Sequence, residues 1–268
     1  MLAVLIAGPA RAADDTVRLA YDAYIGPFYV VSAEADLELS GDRYKVVTRA
    51  KSQGMASWFF EWRSEAWTVG GRVAGTLRPR RHEVDGQWRG KLRKVRLDYP
   101  DINGIGDGGT VKFDVSPPPD GTERDPVPPP LTKGTIDPLS ATLTVLLRMA
   151  EGGRCDGAFR VFDGRRRYDM SVSPGEQSVL PRLHSSVFAG AARRCNFQLK
   201  RIAGFWKKRT DFRRPVTEPT LWVASPMAKV PPVPVRFTAD TGFGELRIHL
   251  VRVQRGEKVI AVEGFAAR

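Results

Sequence analysis

Apolar and polar positions alternate over much of the first hundred residues, which is the pattern of half-buried β-strands. The clearest segments are Val17–Tyr24, Phe28–Leu39 and Tyr44–Ala50. Turn-forming residues separate them, namely Gly26-Pro27 and Ser40-Gly41-Asp42. The pattern therefore predicts three consecutive antiparallel strands joined by short turns.

The alternation predicts further strands on both sides of a proline-rich segment. Four come before it, with Gly70-Gly71 and Asp85-Gly86 as hairpin turns: Ser64–Val69, Val73–Val84, Gln87–Tyr99 and Lys112–Val115. Seven come after it: Ala158–Phe162, Arg165–Val172, Ala192–Ile202, Thr220–Ala224, Val233–Ala239, Phe243–Val253 and Lys258–Val262. The segment itself, Ser116–Gly134, has seven prolines in 19 residues, so it predicts a long loop.

Two segments have helical rather than strand periodicity. Asp137 is a good N-cap with Pro138 at the first helical position, and Gly152-Gly153 ends the pattern, which predicts a helix over Asp137–Glu151. Between Pro138 and Arg148 the helix has no charged residue, so it should be buried on most sides. The apolar residues of Met55–Trp62 are spaced for a second, short helix with one apolar side.

These elements predict a mainly β fold, a strongly curved antiparallel sheet or half-barrel that encloses one main helix. The chain has 268 residues, of which 42% are hydrophobic, enough for a sizeable core. We expect residues 13–268 to form a single β-rich domain, with the proline-rich loop 116–134 inside it.

The first residues favour export. The apolar run Leu2–Ala7 precedes Ala10-Arg11-Ala12, which fits an A-x-A cleavage site, and polar residues follow. Residues 1–12 are therefore expected to be the remnant of a cleaved signal peptide, and the periplasm is the expected location. No other run approaches the ~18 apolar residues of a membrane helix, so a membrane-spanning protein is not expected.

Cys155 and Cys195 are the only cysteines. In an exported protein such a pair predicts a disulfide, and no Cys-x-x-Cys spacing favours a redox site. The closed loop of 40 residues would contribute about 4 kcal/mol in the chain-entropy estimate.

The chain is strongly basic. Its formal charge is +12, and removal of residues 1–12 takes away only Arg11, which leaves 12 − 1 = +11. Such a charge favours an anionic partner. In the periplasm this points to a lipid or lipidated protein or to the anionic envelope surface, whereas export argues against nucleic acid. A basic surface that serves solubility remains the plain alternative.

The segment Arg154–Met170, RCDGAFRVFDGRRRYDM, predicts a hairpin with a two-residue turn at Asp163-Gly164. Phe162 would then face Arg165, and Arg160 would face Arg167. One face would collect Phe159, Val161, Tyr168 and Met170 as core. The other would collect Phe162 and Asp169 with Arg160, Arg165 and Arg167, the three residues predicted to contact an anion.

No motif supports catalysis, a metal or a cofactor. The segment 104–109 fits G-x-G-x-x-G, but a strand-like segment follows it where a dinucleotide site needs a helix. His82, His184 and His249 lack metal-ligand spacing, and no nucleophile motif occurs. We therefore expect a non-enzyme without metal or cofactor. An enzyme would require His184 or His249 to meet a carboxylate and a serine in a cleft.

Three features resemble an exported proteobacterial family, domain of unknown function 3108. They are GTIDPLSATLTVLLR at 134–148, VFDGRRRYDM at 161–170, and the flanking cysteines 155 and 195. The resemblance runs from Tyr21 to at least Trp206. It implies the compartment and architecture, because the family has no established activity. The expected curved sheet is also remotely similar to periplasmic carriers of the LolA/LolB type, in which a sheet wraps a helix and leaves an apolar cavity.

The leading hypothesis is a non-catalytic protein of the cell envelope that binds a lipid or other hydrophobic ligand in the concavity of the sheet. The expected pocket residues are apolar residues of the two helices and their flanks: Trp58, Phe59, Trp62, Leu143, Leu146 and Leu147. Basic residues would hold a headgroup at the rim. The alternative is a structural or interaction protein with a filled core and a basic partner-binding surface.

Overall fold

The computed structural model describes residues 16–59, 61–73, 75–100, 109–207 and 217–265. The predicted signal peptide and most of the glycine loop 101–109 lie outside these residues. The described strands are β1 (Val17–Ile25), β2 (Phe28–Ser40), β3 (Arg43–Ser52), β4 (Trp62–Val73), β5 (Thr76–Trp88), β6 (Lys91–Asp98), β7 (Lys112–Ser116), β8 (Gly157–Phe162), β9 (Arg167–Leu180), β10 (Gly190–Ala203), β11 (Thr217–Ala224), β12 (Val233–Thr241), β13 (Gly244–Arg255) and β14 (Lys258–Ala261). The helices are α1 (Ala56–Phe59) and α2 (Pro138–Gly152), with a 3₁₀ turn at Pro129–Thr132.

The strands form one large antiparallel sheet that is not closed into a barrel. Its order is β7-β6-β5-β4-β3-β2-β1-β13-β12-β11-β10-β9-β8, and β14 pairs with β13. Each half is a meander, and the two halves meet where β1 pairs with β13. The predicted mainly β class is confirmed.

Side chains, rather than strand pairing, bring the two ends of the sheet together. Phe162 at the end of β8 is fully buried and packs edge-on against Phe113 of β7, with 5.1 Å between ring centroids. Phe162 also shares a core cluster with Val95 and Leu97 of β6. Helix α2 contacts β4 and β5 in one half and β8 in the other. The sheet therefore curves around α2, as the predicted half-barrel does.

Helix α2 forms as the sequence predicts. The Asp137 side chain accepts a hydrogen bond from the Ser140 backbone N–H, Pro138 follows the cap, and Gly153 ends the helix with φ 63°. Its buried residues divide between two core clusters. Leu143 belongs to a cluster built mainly from β1–β3, β12 and β13, whereas Val145 and Leu146 pack with β8–β11.

The turns predicted in the β4–β6 region are wrong. β4 continues through Gly70-Gly71 and β5 through Asp85-Gly86. The β5–β6 turn instead lies at Arg89-Gly90, where both residues have positive φ. A glycine inside a strand lets neighbouring atoms approach the backbone closely and does not by itself form a turn. The predicted helix Met55–Trp62 is also shorter, because Trp62 begins β4 and pairs with Trp88.

The predicted turn of the β8–β9 hairpin is wrong as well. Phe162 pairs with Arg167, and the loop spans the four residues 163–166. The Asp163 side chain accepts hydrogen bonds from the N–H groups of Arg165 and Arg166, so it stabilises this wider loop. Arg160 consequently faces Asp169, not Arg167.

The wider loop changes one face of the hairpin more than the other. Phe159, Val161, Tyr168 and Met170 pack together in the core as expected. The opposite face is not an outer charged surface, because Phe162 is fully buried and Arg167 is only 4% exposed.

Gly70 is required by the ring of Tyr44. A Cβ at this position would lie 2.6 Å from two atoms of the Tyr44 side chain and would also overlap the Arg78 carbonyl. We expect Gly70→Ala to lower the free energy of unfolding by about 1–3 kcal/mol, the usual cost of overpacking. Urea unfolding of Gly70→Ala beside Gly71→Ala measures this. At Gly71 the nearest atom, the Asp42 carbonyl oxygen, would be 3.4 Å away. Equal stabilities of the two variants would contradict the assigned role of Gly70.

Candidate functional site

A buried polar cluster anchors the start of α2 on the concave side of the sheet. Asp137 is fully buried and accepts hydrogen bonds from Ser140 Oγ (2.6 Å) and from Thr68 Oγ1 (2.8 Å). Thr68 Oγ1 also lies 2.7 Å from His82 Nδ1. Ser140 Oγ is 2.8 Å from the Tyr44 hydroxyl. Three strands and the helix thus meet through five hydrogen-bonding side chains.

The strand register creates this cluster. Thr68 of β4 pairs with His82 of β5, and both share a face with Val46 of β3 and Leu97 of β6. Helix α2 begins directly above this row, where Asp137 can accept from Thr68. The cluster has no signature in the sequence, because each member, taken alone, has the properties of a strand or cap residue.

Burial sets the protonation of the cluster. Desolvation lowers the pKa of the His82 imidazole, and the Asp137 carboxylate only partly opposes this shift. Desolvation also raises the pKa of the Tyr44 hydroxyl above its ordinary value, with the Asp137 charge adding to the effect. Both shifts favour a neutral imidazole and a neutral phenol in this cluster.

This arrangement suits anchoring better than catalysis. Ser140 Oγ donates to Asp137, whereas His82 contacts Thr68, so the imidazole does not reach the serine it would have to activate. Thr68, Asp137 and Ser140 have no exposed surface through which a substrate could approach. The cluster is therefore a structural anchor for α2.

The concave face of the sheet continues beyond α2. The start of helix α2 lies against Thr68 of β4, through Asp137. The end of the helix lies near Arg72 of the same strand, because Glu151 pairs with Arg72. The opposite end of β4, from Ser64 to Trp62, extends away from the helix. Residues on this part of the face are half-buried, although their alternate neighbours Arg63 and Glu65 are exposed.

Small side chains cover this part of the concave face of the sheet. Ala33, Ala50, Ser64 and Gly86 are paired across β2, β3, β4 and β5 in one line, and we call them the small-residue row. A groove of about 530 Å³ touches these four residues from the opposite face of the sheet, where exposed side chains of their alternate neighbours, such as Arg49, Glu65 and Lys94, form its walls. The half-buried Trp62 and the 38%-exposed Trp88, paired with each other, stand beside the row.

The predicted pocket residues do not form one pocket. Leu143, Leu146 and Leu147 of α2 belong to the packed core. Trp58 of α1 is 84% exposed, and the side chain of Phe59 lies outside the described residues. Helix α1 follows Ser52 at the end of β3, whereas α2 contacts Tyr44 at the start of β3, roughly 26 Å away along the strand. Among the predicted residues, Trp62 lies next to the small-residue row.

The three arginines predicted to contact an anion have separate environments. Arg160 is exposed and faces Asp169 across the hairpin. Arg165 donates to the carbonyl oxygens of Ser116 (2.8 Å) and Pro117 (3.0 Å). Arg167 is buried and pairs with Asp169 at 2.7 Å. Arg160 and Arg167 thus both border Asp169, whereas Arg165 points to a different part of the chain.

The predicted disulfide is confirmed. Cys155, just after α2, is bonded to Cys195 of β10, and both residues are fully buried. The bond ties the end of the helix to the C-terminal half of the sheet.

The arrangement around His249 does not provide a serine–histidine pair. The register places Asp22 between Ser32 and His249 on neighbouring strands, so the hydroxyl and imidazole are roughly 10 Å apart. Desolvation, with the charges of Arg236 and Arg247, lowers the pKa of His249 to about 4. His184 is exposed. Within the described ranges, no three His, Cys, Asp or Glu side chains are grouped so that they could hold a metal ion.

Comparison with solved structures identifies the fold. A beta-barrel-like protein of domain of unknown function DUF1849 from Brucella abortus is similar over 91% of this chain and 99% of its own, with a TM-score of 0.53. The sequences are 14% identical, so the likeness concerns the fold alone. No curated protein matches the chain. None of the helices in the described ranges has the length and apolar character needed to cross a membrane.

The match to a protein family covers more of the chain than the segments that carry the sequence resemblance. The model described as "Protein of unknown function (DUF3108)" matches residues 20–251. This range contains the Asp137 cap, the β8–β9 hairpin, both cysteines and the small-residue row. The chain therefore belongs to the DUF3108 family.

Proposed function

We propose that the protein is a non-catalytic protein of the periplasmic cell envelope that binds a lipid or other hydrophobic ligand on the small-residue row. One observation carries the proposal. The curved sheet extends beyond α2, and its concave face there is floored by Ala33, Ala50, Ser64 and Gly86 with two tryptophans alongside.

The small-residue row suits an extended apolar chain. Side chains no larger than Ser leave depth above the backbone, and the indole rings of Trp62 and Trp88 offer apolar surface at one side. Each methylene that leaves water contributes about 0.8 kcal/mol, so a chain of several methylenes would bind usefully. Sites for small ligands are commonly concave and mostly apolar, and a row of small residues beside two indole rings on a concave sheet face has this character.

The location rests on separate features. The buried Cys155–Cys195 disulfide fits an oxidising compartment, and the first twelve residues have the pattern of a signal peptide. We propose that residues 13–268 act as one periplasmic domain. The sheet wrapped around a helix supports the comparison with LolA/LolB-type carriers, although the place for the ligand is beside the helix.

A second candidate function is a structural or interaction protein of the envelope. It is favoured by large apolar side chains at the surface, since Trp58 is 84% exposed and Val179 is 79% exposed. The net charge of +12 would add attraction for an anionic partner surface.

Replacement of Ala50 by Phe tests the proposed ligand site. Its ring would occupy the middle of the small-residue row, so we expect dodecanol to bind about ten-fold or more weakly, the cost of about two lost methylene contacts. Displacement of the fluorescent probe N-phenyl-1-naphthylamine measures the affinity. Ala158→Phe, at an exposed position of β8, is the control and should bind like the unaltered protein. Equal binding by Ala50→Phe would contradict the proposed site.

A further inference from the structure

Three arginines from distant parts of the chain meet beside the small-residue row. We call Arg93, Arg124 and Arg165 the arginine cluster. Arg93 lies two residues before Val95 on β6, Arg124 three before Val127, and Arg165 follows the turn residue Gly164. Val95, Val127 and Phe162 pack in one core cluster, and Gly164 is so close to Val95 that a Cβ there would overlap it. The packing therefore holds the three arginines together.

Two residues of the arginine cluster, Arg93 and Arg124, have guanidinium donors without a hydrogen-bond or ion-pair partner among the described residues. Arg124 is only 9% exposed, and its guanidinium lies 3.8 Å from the ring centroid of Trp206. Within the described part of the chain it has neither an ion pair nor a hydrogen bond. The Nε atom of Arg93 is buried and likewise has no hydrogen-bond partner there. Buried guanidinium groups normally pair with carboxylates or carbonyl groups, so these donors are available to a ligand.

Charge in this region is unbalanced. Of the four charged groups that act most strongly on Arg124, three are Arg166, Arg165 and Arg93, and one is Asp163. Asp163 is engaged, since it pairs with Arg166 at 2.7 Å and accepts from the loop N–H groups. Desolvation and the neighbouring arginines lower the pKa of Arg124 to about 10. An added anion would relieve this repulsion.

The register connects the arginine cluster to the proposed ligand site. Gly86, the last member of the small-residue row, pairs with Arg93 on β6. A ligand whose chain lies along the row would therefore have its end group at Arg93. We propose that the arginine cluster binds the phosphate group of an amphipathic ligand whose apolar chain lies on the small-residue row. This inference rests on the proposed function and adds the chemical class of its ligand.

Phosphate fits the cluster because guanidinium groups donate paired N–H bonds to its oxygens and because it can carry two negative charges. Arg165 already uses two donors on the carbonyl groups of Ser116 and Pro117, which fixes its position. Arg124 is fixed by stacking on Trp206. A site held in place in this way loses little conformational entropy when it binds.

Three probes at monomeric concentrations test the inference by isothermal titration calorimetry: dodecyl phosphate, dodecanol and inorganic phosphate. We expect dodecyl phosphate to bind about ten-fold or more tightly than dodecanol, because charge-assisted hydrogen bonds are added. Arg93→Gln and Arg124→Gln should each remove most of this advantage and leave dodecanol binding unchanged. Arg160→Gln, an exposed arginine opposite Asp169, is the control and should change neither affinity. Thermal unfolding of each variant verifies that it is folded.

Each outcome has one meaning. Equal affinities for dodecyl phosphate and dodecanol would overturn the phosphate site and leave the proposed hydrophobic site intact. If inorganic phosphate binds in a manner that depends on Arg93 and Arg124 while neither dodecyl compound does, the anion site stands and the proposed function fails. An advantage of dodecyl phosphate that survives in both glutamine variants would also overturn the inference.

Discussion

Replacement of Asp137 by Ala is expected to lower the free energy of unfolding by about 3–5 kcal/mol. The carboxylate accepts from the Ser140 backbone, the Ser140 hydroxyl and the Thr68 hydroxyl, all in a fully buried position. Alanine would leave these donors without an acceptor, and each such loss costs about 1–3 kcal/mol. It would also remove the N-cap of α2.

Urea unfolding of Asp137→Ala measures this loss. Glu151→Ala is the matched control, because Glu151 lies near the other end of the same helix and forms an exposed pair with Arg72. Its removal should cost less than about 1 kcal/mol, as exposed salt bridges usually do. Asp137→Asn keeps one acceptor oxygen and should fall between the two. A cost below about 1 kcal/mol for Asp137→Ala would contradict the anchoring role of the cluster.

Loss of the disulfide has a comparably large expected effect. Replacing Cys155 and Cys195 together by Ala is expected to destabilise the protein by about 4 kcal/mol, because the bond closes a loop of 40 residues in the unfolded chain. Both cysteines are fully buried among apolar residues of α2, β8 and β9, so alanine introduces no unpaired polar group.

The midpoint of urea unfolding reports this change, with the unaltered protein measured in the presence and absence of reductant. Once unfolded under reducing conditions, the unaltered protein should refold with the stability of the double alanine variant. The variant should keep the circular dichroism spectrum of the sheet. A double variant as stable as the oxidised protein, within about 0.5 kcal/mol, would show that the bond contributes nothing to folding.

The sequence was informative where a single segment carries the signal. Alternation along Phe28–Leu39 predicts β2 closely, and the Asp137-Pro138 pair marks the start of α2, because both signals are local. Gly70 and Gly86 misled the turn predictions, since a glycine in a strand and a glycine in a turn have the same sequence signature. What separates them is the Tyr44 ring and the neighbouring strands, which are remote in sequence.

The polar cluster and the arginine cluster could not be predicted from the sequence, because the strand register brings their residues together from distant parts of the chain. Thr68, His82 and Asp137 span 69 residues and meet only when β4, β5 and α2 are in place. The hairpin sequence predicts grouping of Arg160, Arg165 and Arg167, but a loop wider by two residues leaves Arg160 and Arg167 beside Asp169 and separates Arg165 from them. Arg165 instead joins Arg93 and Arg124, whose segments lie far away in the chain.

Native mass spectrometry of the protein isolated from the cell envelope, beside Ala50→Phe, tests the central claim most directly. The claim is that the small-residue row holds an amphipathic ligand. We expect the unaltered protein to carry an added mass that is released on unfolding and that contains a phosphate group and an apolar chain. Ala50→Phe should carry little or none of it. Identical masses for the two proteins, both equal to the bare polypeptide, would contradict the claim.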